Sequence, residues 1–208
     1  MSPPPESSLA APQVGRSSSR AAPNEFTLEE RSTLLKVAHE SILSALEGRE
    51  ISLTPPTPHL AEPRGVFTTI YMQGTLRGCV GYVFPIVSPQ PISLYRAVAE
   101  TARAAALEDT RFPRVTIGEA SRLDVSLSVL SPLKAIEPDE IEIGLHGLVV
   151  SQAGRRGLLL PQVPVEHHWG RVAFLEQTCR KAGLPPNAWQ EGATLQAFTA
   201  EVFGDQVK

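Results

Sequence analysis

Residues 66–82 read VFTTIYMQGTLRGCVGY. Two runs rich in β-branched and aromatic residues, 66–71 and 75–84, flank the pair Gln73-Gly74, and a short turn between such runs is the signature of a β-hairpin. The two segments downstream of this hairpin set the fold class. In ISLYRAVAETARAAALED, Leu94, Ala97, Val98, Thr101, Ala102 and Ala105 share one helical face, with side chains small enough to approach a sheet closely. In SRLDVSLSVLSP, Leu123, Val125, Leu127 and Val129 alternate with polar residues, as in a half-buried strand. A hairpin mixed irregularly with helices, without a regular βαβ array, predicts an α+β fold with a mostly antiparallel sheet flanked by helices.

Upstream, FTLEERSTLLKVAHESILSALEG opens on Thr27 with Glu30 three residues on, a capping box, and closes on Gly48. Leu34, Leu35, Ala38, Ile42 and Leu46 form its apolar stripe, and His39 one position beyond reads as a boundary histidine. Toward the C-terminus, 147–151 and 157–160 read as two short strands around a basic glycine turn carrying Arg155 and Arg156. VEHHWGRVAFLEQTCRKAGLPP reads as one helix stopped by Gly183 and Pro185-Pro186, and ATLQAFTAEVFGD as one last strand.

Residues 1–25 are rich in Pro, Ser and Ala with no period, so a disordered tail is expected there and a single folded domain over 26–208. The whole chain is 42% hydrophobic and 20% charged, ordinary values for a globular protein. No apolar run reaches a membrane span, and the first twenty residues lack the apolar core of a signal peptide. Two cysteines a hundred residues apart give no disulfide framework, and a cytoplasmic protein is expected. A net charge of −3 supplies no global attraction to nucleic acid.

Taken as an unbroken strand, 75–82 places Arg77, Cys79 and Gly81 on one face and Leu76, Val80 and Tyr82 on the other. A guanidinium beside a thiol favours the thiolate, and Gly78 and Gly81 inside a strand mark a close approach by a ligand or another backbone. The opposing reading is a small, inert cysteine in the core. In EDTRFP, Asp109 either orients Arg77 or acts as a base, or else pairs with Arg111 at a helix exit anchored by Phe112. His167 and His168 are adjacent, cannot point the same way on a helix, and match no zinc spacing with either cysteine. No metal or other cofactor is expected, and Cys179 reads as structural.

Six segments carry a resemblance: RGVFTTIYMQGTLRGCVGY, AAALEDTRFPRVT, LDVSLSVLSP, IGLHGLVV, RGLLLPQV and CRKAGLPPNAW. In that order, from about Phe26 to the C-terminus, they resemble the AMMECR-type domain family, in bacteria and archaea the protein A component of the AmmeMemoRadiSam system. The family hexapeptide LRGCIG stands here as Leu76-Arg77-Gly78-Cys79-Val80-Gly81. Its Asp-Pro-Arg-Phe motif stands as Asp109-Thr110-Arg111-Phe112, without the proline. The resemblance implies a two-lobed domain whose larger lobe holds both termini, joined to a smaller lobe by two connections, with the hexapeptide lining the cleft between them. If the domain acts as an enzyme, Cys79, Arg77 and Asp109 are the candidate catalytic residues, with Leu76, Gly78, Val80, Gly81 and Arg111 as candidate substrate contacts. The resemblance also implies a modification pathway shared with Memo-type and radical-SAM proteins. Two readings of activity stay open. Cys79 and Arg77 act on or bind a substrate, macromolecular or otherwise, in the cleft; or the domain is a non-catalytic adaptor for a protein or nucleic-acid partner.

Overall fold

The computed structural model describes residues 24–83 and 91–205. The expected tail lies outside the described residues except for Asn24 and Glu25, as does the last predicted residue of the hairpin, Phe84.

The first helix, α1 (Leu28–Glu47), has the caps read from its ends. Thr27 and Glu30 form the reciprocal capping box, and Gly48 closes the helix in the left-handed region at φ 70°. After a short helix α2 (Pro58–Ala61) comes the hairpin of β1 (Val66–Met72) and β2 (Thr75–Tyr82), turned through Gln73 and Gly74, both at positive φ. The alanine-rich α3 (Leu94–Leu107), the one-turn α4 (Ile117–Ala120) and β3 (Leu123–Leu130) come next.

The chain then builds a second sheet from β4 (Lys134–Ala135), β5 (Gly147–Gln152), β6 (Arg155–Leu159) and β7 (Thr194–Phe198). Between β6 and β7 lie α5 (Gln162–Glu166) and α6 (Arg171–Lys181), and β8 (Ala200–Gly204) ends the fold. The fold is therefore α+β, and all strand pairings are antiparallel. The first sheet has the order β2-β1-β3-β8 and the second β4-β7-β5-β6.

Three expectations need correction. The predicted last strand is two strands, β7 and β8, one in each sheet, with Thr199 as the crossing point. There Ser131 N–H donates to the Thr199 carbonyl at 2.9 Å and Thr199 N–H to Ser131 Oγ at 3.0 Å, so the two chain crossings are tied to each other. The predicted single helix is α5 and α6, broken where His168 takes φ 57° and Gly170 caps α6. Arg155 and Arg156 lie in β6, because the turn consists of Ala153 and Gly154, both at positive φ.

Among the described residues, each sheet is covered by helices on one face and free of them on the other. On the first, α1 and α3 lay Leu34, Val37, Ala38, Ile42, Val98 and Ala102 against Val66, Ile70, Val125, Leu127 and Phe203. On the second, α6 sets Phe174 and Leu175 against Leu148 and Ala197, while Cys179 is fully buried beside Val150. A further cluster joins the sheets through their helix-free faces: Phe67 and Leu130 of the first meet Val149 and Phe198 of the second. No helix among the described residues is long and apolar enough to cross a membrane.

Candidate functional site

The hairpin is irregular at the point that matters. Ile70 pairs with Gly78 but Tyr71 pairs with Leu76, so Arg77 is an inserted residue, a β-bulge. A bulge breaks the two-residue alternation and re-aims the side chain it carries. Register therefore places Gly78, Val80 and Tyr82 opposite Ile70, Thr68 and Val66 on the core side. Cys79 and Gly81 lie opposite Thr69 and Phe67 on the helix-free side, and Leu76 joins them there opposite Tyr71. The expected face of Arg77, Cys79 and Gly81 is thus corrected: Leu76 moves onto it and Arg77 leaves it.

The Arg77 guanidinium turns to the loop after α3. Nη1 donates to the Pro113 carbonyl at 2.6 Å and Nη2 to the Arg114 carbonyl at 3.2 Å. Nε and Nη2 meet the Glu119 carboxylate at 3.3 and 3.4 Å. Glu119 also receives Thr116 N–H at 2.7 Å and its hydroxyl at 2.9 Å, capping α4. The Thr116 N–H and the Arg77 guanidinium together hold the Glu119 carboxyl down at about 2. Arg77 is a brace between β2 and this loop.

The charged pair beside Cys79 is Asp109 and Arg111. Because β2 is an edge strand, Cys79 presents its N–H and C=O outward, where a further strand would bond them. The side chains of the Asp109-Thr110-Arg111 segment take that place. Asp109 Oδ2 accepts from Cys79 N–H at 2.9 Å, and Arg111 Nη2 donates to the Cys79 carbonyl at 3.1 Å. The two side chains also bind each other, at 2.9 and 2.7 Å, while Arg111 N–H donates to Asp109 Oδ1 at 3.1 Å. The carboxylate paired with Arg77 is therefore that of Glu119, and Asp109 is paired with Arg111. This is the helix-exit pairing anticipated for EDTRFP, extended by the clamp on Cys79.

The Cys79 thiol accepts a hydrogen bond from Thr69 Oγ1 at 3.3 Å. Burial pushes the thiol up from its ordinary range, against the opposing pull of the Thr69 hydroxyl and the Arg111 charge. Burial likewise raises the neighbouring Tyr71 phenol, with Cys79 adding to the effect. By register the same face continues onto β3 through Asp124, Ser126 and Ser128, all half-buried. The surface around the thiol is thus polar, with Asp124 on the face and the Asp109–Arg111 pair at its edge as the charged members.

The glycines are filled from within the fold. A Cβ on Gly78 would come within 2.1 Å of the Ala105 carbonyl oxygen, and one on Gly81 within 2.5 Å of Phe67 and of the Val66 carbonyl. The space at Gly78 belongs to α3 and that at Gly81 to β1, which accounts for both residues without a ligand. Val80 packs on the core.

Thr69, Tyr71, Glu119 and the β3 serines did not emerge from the sequence reading. Thr116 with Glu119 repeats the capping pattern of Thr27 with Glu30 and was a usable signal. Among the described residues there is no group of three or more metal-ligating side chains. His167 stacks on Trp169 with ring centroids 4.6 Å apart.

Comparison with known proteins gives one consistent result. The AMMECR1 family model matches residues 35–203. A protein of Methanopyrus kandleri is 42% identical over 195 residues, spanning 88% of this chain and 91% of that one. A protein of Methanosarcina acetivorans is 37% identical over 87% of this chain and 94% of its own length. The crystal structure of an uncharacterized protein from Pyrococcus horikoshii is similar with a TM-score of 0.65 at 39% identity, covering 84% of this chain and 90% of that one.

Proposed function

The chain belongs to the AMMECR1 family, and on that premise we propose that the helix-free face of its first sheet around Cys79 is a ligand-binding surface. It lies in the cleft between the unit of β1, β2, β3 and β8 and the inserted unit of β4–β7. The junction of Phe67 with Val149 and Phe198 supports this reading, since it sets the helix-free sides of the two sheets toward each other at one end. Beside Phe67 the face carries Ser128, and beyond it Thr69, Cys79 and Ser126, a row of hydrogen-bonding groups. Such a row suits a polar ligand, and a segment of a macromolecule fits this description. Within the modification pathway implied by the resemblance, with Memo-type and radical-SAM proteins as partners, the domain holds a substrate and its thiol does not attack it.

The observation that carries this choice is the state of Cys79. A thiol whose burial outweighs the thiolate-favouring Thr69 hydroxyl and Arg111 charge is a neutral hydrogen-bonding group near pH 7, whereas nucleophilic cysteines have depressed pKa values. The test is iodoacetamide alkylation of Cys79, with peptide mass spectrometry across pH. Native Cys79 is expected to react more slowly than the same residue in denatured protein at neutral pH. Its rate should still be climbing above pH of about 8.5, where an ordinary cysteine is half ionised. A native rate at neutral pH faster than the denatured control would overturn the binding reading in favour of thiolate chemistry.

A further inference from the structure

Arg155 and Arg156 are neighbours in sequence, and strand β6 sends them to opposite sides of the second sheet. Arg155 is on the side of Gly157, which packs against Ala182, and its Nη1 donates to the Gly183 carbonyl after α6 at 2.6 Å. Arg156 is on the helix-free side. It stands opposite Ser151, and the next pair on that face is Leu158 with Val149, at the junction with Phe67. Arg156 Nη2 reaches across β5 to Gln196 Oε1 at 3.5 Å, and Gln196 is the β7 partner of Val149 on the same face.

Both helix-free faces run outward from the crossing at Thr199, where β7 ends and β8 begins. Their residues can therefore be matched by distance from it. Phe67 and Ser128 on the first sheet correspond to Val149, Leu158 and Gln196 on the second. Two residues farther out, or roughly 7 Å along the strands, Thr69, Cys79 and Ser126 correspond to Ser151, Arg156 and Thr194. Ser126 and Ser151 are half-buried, and Thr194 and Arg156 are exposed. Among the described residues, the hydroxyls of Ser126, Ser151 and Thr194 make no hydrogen bond to the chain.

Resting on the ligand-binding reading above, we propose that these two walls hold a phosphate group of the ligand between them. The Arg156 guanidinium is a planar fork of N–H donors that matches two phosphate oxygens at once. Hydroxyls of Ser126 on one wall and of Ser151 and Thr194 on the other are further donors. A tetrahedral group presents oxygens to both walls together, whereas a planar carboxylate directs both of its oxygens one way. Asp124 stands two residues beyond Ser126 on the first wall and repels the anion, which bounds the site on its outer side.

The test is a titration of the ¹⁵N-labelled full chain with inorganic phosphate at constant ionic strength, read from amide shifts on both walls. Cys79 and Ser126 should follow the same saturation curve as Ser151 and Thr194. Arg156→Gln, at an exposed position that leaves folding intact, should raise the Kd about tenfold, as expected for a lost hydrogen bond to a charged group. Arg156→Lys keeps the charge without the fork and should fall between the two. Arg155→Gln, on the opposite side of the sheet, should leave the curve unchanged. Glutarate should bind more weakly than phosphate, and the reverse order overturns the assignment in favour of a carboxylate. An unchanged Kd in Arg156→Gln, different curves for the two walls, or no shift at all overturns the shared phosphate site. The iodoacetamide rate of Cys79 is measured without phosphate, so it decides the ligand-binding reading separately, whatever the titration gives.

Discussion

Gly78→Ala is expected to destabilise the fold by about 3 kcal/mol, the upper part of the range for inserting one carbon into a packed interior. The added carbon would meet the Ala105 carbonyl oxygen at 2.1 Å, and that oxygen is backbone, unable to swing aside as a side chain does. Neither element can retreat cheaply. Thr101 on α3 is hydrogen-bonded to Thr68 on β1 at 2.7 Å, and Val80 and Tyr82 hold β2 on the same core. Gly118→Ala supplies the contrast. Its Cβ meets nothing within 4 Å and its φ is not positive, so it should be neutral or stabilising by up to about 1 kcal/mol through helix propensity. Urea midpoints of the two variants against the parent chain make the comparison, with an unchanged slope showing that the unfolded state is the same. A Gly78→Ala protein as stable as the parent would mean that α3 does not pack on β2 as described.

The glycine illustrates what could be read from sequence alone. Local signals identified their elements correctly: the capping box and Gly48 bounded α1, Gln73-Gly74 placed the hairpin turn, and alternation from Leu123 to Val129 gave β3. The hexapeptide was legible as special, since two glycines inside a strand need an explanation. The explanation itself is non-local. Gly78 is filled by a helix 27 positions downstream, at Ala105, and Cys79 is clamped from Asp109 and Arg111. The bulge is equally hidden, because a single inserted residue leaves the run of strand-forming residues intact while exchanging which side chains share a face. Strict alternation therefore put Arg77 beside the thiol, where the fold puts Arg111. The change of sheet at Thr199 failed for a similar reason, since ATLQAFTAEVFGD keeps its strand-forming character through the crossing.

Asp109→Asn should destabilise the chain by about 2 kcal/mol at neutral pH, and the loss should vanish in acid. The Asp109 side chain is only 5% exposed. The Arg111 guanidinium, opposed by burial and helped by the Cys79 and Arg111 N–H groups, holds its carboxyl at about 2, against a usual value of 3.8. A carboxyl lowered in the folded state binds its proton more weakly there than in the unfolded chain. Its contribution is therefore complete above the usual value and disappears as pH falls through about 2. Glu119, held equally low, titrates in the same interval, so the acid unfolding of the parent alone would not separate the two. The difference between parent and Asp109→Asn does, because Glu119 is common to both. Denaturant midpoints from neutral pH to about 2 should converge below pH of about 4, and a gap of constant size would show that the carboxylate's charge is not what secures the edge strand. The same variant tests the site. With the clamp on its backbone weakened, Cys79 should alkylate faster than in the parent under native conditions, although the substitution removes a carboxylate that raises the thiol and leaves Arg111 in place. That electrostatic change also speeds the reaction, so Arg111→Gln serves as the control: it loosens the same clamp while removing the positive charge that favours the thiolate. Faster alkylation in both variants assigns the protection of Cys79 to the clamp, whereas acceleration in Asp109→Asn with slowing in Arg111→Gln assigns it to charge alone.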